Sequence, residues 1–171
     1  MKVIGFAGWS GSGKTSLIEQ VIALLGARGL VVSLVKHAHH SFDIDHEGKD
    51  SWRHRHAGCH EVLVSSGRRW SLMHELRGDA EMPLDALLAK LSDCDLVLVE
   101  GFKRAPIPKI EVYRAALGAP LLFPDDPWIV AIATDTDLDT RLPRLDLNDP
   151  RAVADFVVDY VFTAPAPIPA A

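Results

Sequence analysis

Residues 2–15 read KVIGFAGWSGSGKT. A short apolar run (2–7) meets a turn rich in glycine and serine, and a helical pattern starts directly behind it. The turn fits the spacing Gly-x-x-x-x-Gly-Lys-Thr from Gly8 to Thr15. A strand before the turn and a helix after it is the context in which that spacing cradles phosphate. Glycines let successive backbone N–H groups turn toward one point. The helix N-terminus adds partial positive charge at that point. Gly8, Trp9, Ser10, Gly11, Ser12, Gly13, Lys14, Thr15 and Ser16 are therefore the candidate nucleotide-binding residues. Lys14 has the reach for the β- and γ-phosphates, and the Thr15 hydroxyl suits Mg2+. Some dimeric ATPases with this loop carry a second lysine near its start. Trp9 stands there in this chain, so no lysine is expected to reach in from a partner copy.

Working outward, TSLIEQVIALLGARG (15–29) has a helical period and stops at Gly29. LVVSLVK (30–36), DLVLVEG (95–101) and WIVAIAT (128–134) are short, nearly continuous apolar runs, and together with PKIEVYR (108–114) they predict further buried strands of the sheet. A polar, histidine-rich stretch from His37 to His60 is expected as a loop with a short helix over 50–57. EVLVSS and RWSLMHE, around Gly67-Arg68, predict a β-hairpin within 61–76. PLDALLAKL (83–91) predicts a helix opened by Pro83. A last helix starts at Pro150, capped by Asn148 or Asp149. The expected fold is α/β: a phosphate-loop NTPase domain over 1–163, with a mostly parallel sheet, helices on both faces and an inserted hairpin. Residues 164–171, APAPIPAA, predict a Pro/Ala-rich tail without ladder hydrogen bonds.

Composition bounds the function. The chain has 171 residues, 48% of them apolar, and a net charge of -5, which argues against sequence-independent nucleic-acid binding. No apolar run approaches the ~20 residues a membrane span needs. Two cysteines, Cys59 and Cys94, suit a reducing compartment, so a cytoplasmic protein is expected.

Two strand ends add candidates. Glu100 closes DLVLVEG where ligands of open α/β sheets bind, and is expected beside Mg2+ or as a base. Lys14 and Glu100 are the candidates for chemistry. Thr134 and Asp135 follow the strand at 128–134, where an acid can accept from guanine N1–H and the 2-amino group. A plain strand-end turn explains them equally well. All eight histidines lie between His37 and His74. His37, His39 and His40, with Asp43 and Asp45, have the donors for a transition metal but not the paired spacing of structural zinc. Lys36, Lys49 and Arg53, with Asp50 and the histidines, make an anion- or ligand-binding loop an alternative. A solvated polar loop is the third reading.

The loop GWSGSGKT, the block VKHAHHSFDIDHEGKDSWRHRHAG, the strand LVLVEGFK and the later PKIEVYR together resemble the molybdopterin-guanine dinucleotide biosynthesis adapter family. The resemblance spans roughly residues 2–160, and the histidine block is its most specific part. It implies a GTP-binding protein with at most weak, Mg2+-dependent GTPase activity. The implied partner is a guanylyltransferase that attaches GMP to molybdopterin, and molybdopterin itself is a further candidate ligand. It also implies a homodimer using the hairpin-like strands. Gly8 to Thr15 would hold the nucleotide and Glu100 would stand by the metal, with Asp45, Lys49 and Asp50 near the site. Cys59 stands where the family pattern leads one to expect a small residue, and Trp9 and Trp52 where other aromatics are usual.

Two other classes use the same loop. A metal-delivering GTPase of the nickel-chaperone kind would bind Ni2+ or Zn2+ tightly through His39 and His40. A small-molecule kinase would need an arginine-bearing lid, for which the sequence offers only scattered arginines such as Arg104 and Arg114.

Overall fold

A computed structural model describes residues 1–38 and 42–163. His39, His40 and the tail 164–171 lie outside the described residues. In chain order the elements are β1 (Lys2–Ala7), α1 (Lys14–Ala27), β2 (Val32–Lys36), α2 (Asp50–His56), β3 (Glu61–Ser65), β4 (Trp70–His74), α3 (Leu84–Leu88), β5 (Leu96–Glu100), β6 (Lys109–Tyr113), β7 (Ile129–Thr134), β8 (Arg144–Asp146) and α4 (Pro150–Val158). A 3-10 turn covers Ala115–Leu117, and a π-helical turn, Asp159–Thr163, continues α4. Contacts gather the chain into two compact units, one of Met1–His37 with the residues from Leu84 on, the other of Ala38–Pro83.

The first unit is built on six strands in the order β2-β5-β1-β6-β7-β8. Every neighbouring pair is parallel. All six carboxyl ends therefore lie along one edge, and β1 sits where the chain turns from one half of the sheet to the other, the usual ligand crevice of such sheets. The core explains why these runs became strands. Ile4 and Phe6 of β1, Leu96 and Leu98 of β5 and Ile110 and Val112 of β6 face the buried sides of α1 and α4. Leu17, Ile18, Val21 and Leu25 supply the α1 stripe, and Val153, Ala154 and Val157 that of α4. Cutting the fully buried Phe6 to alanine would cost about 3–5 kcal/mol. Asp149 caps α4 by accepting from the amides of Arg151 and Ala152. On a second cluster around Ala7, Ile129 and Ile132, the loop residues Leu122, Phe123, Leu138 and Leu142 form part of the cover.

Three features differ from the sequence expectation. The strand at 30–36 is not buried: β2 is the edge strand, and Leu34 is 39% exposed. An apolar run reports composition, not position in the sheet. A short strand, β8, was not anticipated; it adds to β7 through Ile132, Ala133 and Thr134. Two charged side chains of β6 are buried in what reads as a core strand. The ammonium of Lys109 pairs with Asp126 at 2.9 Å and donates to the carbonyl of Ala105 at 2.6 Å. Glu111 accepts from the amides of Leu122 and Phe123 at 2.7 and 2.9 Å. Burial pushes the Glu111 carboxyl upward, against the pull of those two amides. Both side chains fasten the loop over 119–127 to the sheet.

The second unit holds α2 and the antiparallel pair β3–β4, which forms its own two-stranded sheet. Its anchor is Arg55. That guanidinium pairs with Asp43, Asp45 and Glu75 at 2.7, 3.3 and 2.6 Å. Hydrogen bonding to Arg55 holds the Asp43 carboxyl below the usual carboxylate range. Among the described residues no helix is long and apolar enough to cross a membrane.

Candidate functional site

The loop between β1 and α1 is built around Gly8. With φ at +150°, a Cβ there would lie 2.4 Å from the carbonyl oxygen of Val112, so only glycine fits. The chain thereby passes close over the end of β6 before turning into the helix. Ser12 is buried, and its amide donates to the carbonyl of Trp9 at 3.2 Å, closing the turn. The indole N–H of Trp9 donates to the carbonyl of Pro120 at 2.7 Å, and the ammonium of Lys103 stands 4.0 Å above the Trp9 ring. Ser10, Gly11 and Gly13 complete the loop, and Lys14, Thr15 and Ser16 open α1.

Lys14 curls back on the loop. Its ammonium donates to the carbonyl of Trp9 at 2.7 Å and lies 3.4 Å from the Ser12 hydroxyl. Burial lowers its pKa; Glu100 opposes that, while Lys103 and Lys36 add to it. The ammonium is thus partly desolvated, with two like charges and one carboxylate acting on it.

On the β5 side of the loop, Thr15 Oγ1 donates to Glu100 Oε1 at 2.7 Å, joining residues 85 positions apart. Lys36 Nζ pairs with Glu100 Oε2 at 3.2 Å and lies 3.5 Å from Thr15 Oγ1. The reason is register: Lys36 and Glu100 are direct partners of β2 and β5. A carboxylate and a hydroxyl are the hard oxygen donors Mg2+ prefers, and Lys36 already brings a positive charge to them. The donor set fits Mg2+. The turn after Glu100 is tight: a Cβ on Gly101 would meet that of His37 at 2.9 Å. The amide of His37 donates to the carbonyl of Glu100 at 2.9 Å, and its ring packs against Phe102.

On the β6 side, Arg114 pairs with Asp135 at 3.1 Å, and the amide of Ala115 donates to the other Asp135 oxygen at 3.1 Å. Thr134 is buried and accepts from the amide of Thr136. An open groove next to them is lined by Thr134, Asp135, Thr136, Asp137, Arg144 and Asn148, among others. Sequence reasoning treated Arg114 as a stray arginine and placed Lys36 with the histidines. Both follow the last residue or close the end of a strand, which was the available signal.

The remaining candidates belong to the second unit. Asp45 accepts from the Ser51 hydroxyl, the His46 amide and Arg55, so its carboxylate is engaged by protein donors. Lys49 precedes α2, and Asp50 and Arg53 lie on it. A shallow groove along α2 is lined by Asp50, Trp52, Arg53, His54, His56 and Ala57. Among the described residues no three His, Cys, Asp or Glu side chains converge as a metal-holding group. His39 and His40, on which the metal-delivery reading turned, lie outside the described residues.

A parallel sheet with a glycine loop after its central strand, a lysine and threonine opening the next helix, and an acid at the adjoining strand end is the arrangement of the phosphate-loop fold class. Comparison with known proteins narrows the class. Residues 3–135 match the family described as molybdopterin guanine dinucleotide synthesis protein B. The chain is 41% identical over 162 residues to the molybdopterin-guanine dinucleotide biosynthesis adapter protein of Escherichia coli (strain K12), covering 93% of each. It is 41% identical to the Haemophilus influenzae adapter protein, covering 93% of this chain and 89% of that one. A crystal structure of Bacillus subtilis MobB superposes with a TM-score of 0.74 at 25% identity, covering 96% of this chain and all of that one. The chain belongs to the MobB family.

Proposed function

We propose that this protein binds GTP with Mg2+ and acts in the cytoplasm as the adapter of a guanylyltransferase that converts molybdopterin to molybdopterin guanine dinucleotide. The observation that carries the reading is the 2.7 Å hydrogen bond from Thr15 to Glu100 beside the glycine loop. It joins the two ligands a nucleotide-bound metal needs, and Lys14 stands ready for the phosphates. Bound Mg2+ would neutralise charge on the phosphate chain. The chain's own part is to aim loop amides at that chain, place Lys14 on it, and give up the Lys36 contact to Glu100. Hydrolysis is at most weak, and the transfer of GMP belongs to the partner enzyme.

A second copy of the chain completes the assembly. Leu63 faces Leu72 directly, and Trp70 pairs with Ser65 on the same side of the hairpin. Leu63, Leu72 and Trp70 are all exposed, an apolar face suited to dimerisation.

The test is calorimetric titration of the purified protein with GTP, with and without Mg2+. One GTP per chain, bound more tightly with Mg2+ and in preference to ATP, is expected. An absence of heat at millimolar Mg-GTP would sink the proposal.

A further inference from the structure

We propose that Arg114 is a ligand of the nucleotide's phosphate chain, and that Asp135 positions Arg114 and does not read the base. This rests on the GTP-binding reading above. The order of the sheet sets up the arrangement. β1 carries the phosphate loop, and its two neighbours are β5 and β6. The β5 flank ends in Glu100, with Lys36 beside it. Arg114 directly follows β6 on the opposite flank, and Asp135 follows β7, one strand further out. Register brings the two together, because Tyr113 and Thr134 are direct partners.

The geometry is specific. Arg114 Nη1 donates to Asp135 Oδ2 at 3.1 Å, and the other Asp135 oxygen takes the amide of Ala115 at 3.1 Å. Both carboxylate oxygens are thus spent on fixing the start of the Ala115–Leu117 turn and the guanidinium above it. Arg114 Nη2 points the other way: a Cβ on Gly13 would lie 3.5 Å from it. Gly13 is the N-cap of α1, directly before Lys14, and a helix N-terminus favours an anion. Among the described residues Nη2 has no hydrogen-bond partner. A guanidinium is planar, permanently charged and forked, so one edge can stay on a carboxylate while the other receives a phosphate oxygen. Lys36 stands at Glu100 on the β5 side, Lys14 reaches back to the Trp9 carbonyl, and Lys103 lies over the Trp9 ring. Arg114 supplies the cation on the remaining side.

The full-length protein and its R114A, R114K and D135N variants would be titrated with Mg-GTP and with Mg-ITP, which lacks the 2-amino group, at several salt concentrations. In R114A both affinities fall by the same factor, about 10- to 100-fold for a charge-assisted hydrogen bond. The fall of affinity with rising salt also becomes shallower, and R114K restores that salt dependence. D135N weakens both nucleotides alike, leaving the GTP-to-ITP ratio unchanged. Wild-type protein that binds neither nucleotide overturns the GTP reading and this assignment with it. Wild-type binding with R114A within twofold overturns this assignment alone. So does a weakened R114A that keeps the wild-type salt dependence, or a D135N protein whose GTP preference over ITP collapses.

Discussion

Replacing Lys14 by alanine separates two quantities that usually move together. The ammonium makes a 2.7 Å hydrogen bond to the Trp9 carbonyl and a long one to Ser12. Losing the good bond costs about 0.5–1.5 kcal/mol. Against that, burial already disfavours the charge, and Lys103 and Lys36 repel it, with only Glu100 in opposition. Removing it relieves that cost, so stability changes by less than about 1 kcal/mol. The pH behaviour has a definite sign. A lysine whose folded pKa lies below 10.5 adds stability as pH rises through the lowered value, and the variant lacks that gain. Nucleotide binding behaves differently. Truncating one partner of a desolvated charge pair costs about 2–4 kcal/mol, roughly 30- to 1,000-fold in affinity. At a GTP concentration 100 times its dissociation constant, binding stabilises the wild type by about 2.7 kcal/mol. The variant at the same concentration retains less than about 1 kcal/mol. Thermal melting with and without Mg-GTP, calibrated by titration, reads both numbers. A variant with wild-type GTP affinity would show that the loop is not the site, and one that fails to fold would show that Lys14 carries structure.

Glu100→Gln keeps an oxygen for Thr15 but removes the charge, so the gain in GTP affinity on adding Mg2+ should shrink about tenfold or more while binding in EDTA persists. Paired titrations in Mg2+ and EDTA check this, and an unchanged gain contradicts it. Glu111→Ala strips two half-buried amides of their acceptor and should lower stability by about 2–5 kcal/mol in chemical denaturation. Glu111→Gln should flatten the pH dependence of stability: a raised carboxyl pKa adds stability below its ordinary 4.5, lost as pH rises through the folded value. In the second unit the sign reverses. Arg55 holds Asp43 below its ordinary 3.8, so that contribution is present above 3.8 and lost as pH falls through the folded value. The protection of amides over 53–77 against exchange, measured relative to their intrinsic rates, should therefore fall on acidification, and Arg55→Ala should show that loss of protection already at neutral pH.

How far the sequence could be read depended on whether a feature is local or set by register. The β1–loop–α1 unit is legible because a period of apolar residues, a glycine spacing and a helix start coincide within 27 residues. Glu100 was legible as a candidate because strand ends are where ligands of parallel sheets bind. Its contact with Lys36 was not, since it exists only once β2 is laid beside β5 in a particular register. The pairing of Arg114 with Asp135 depends in the same way on β6 beside β7. β8 has three residues, two of them charged, too short for any periodicity to show. The loop over 119–127 has no pattern of its own; it is held by Glu111 and Lys109 of the strand before it and by Trp9, 111 positions from Pro120.

The placement of Trp9 has a practical consequence. Its indole bridges the glycine loop and the Pro120 carbonyl, under the Lys103 ammonium. Emission from that ring is sensitive to a nearby cation and to the loss of its N–H partner. Of the four tryptophans in the chain, Trp9 alone lies in the glycine loop. Subtracting the spectrum of a Trp9→Phe protein from the wild type would isolate one fluorophore at the mouth of the cradle. Occupancy could then be followed optically, in real time and without a label.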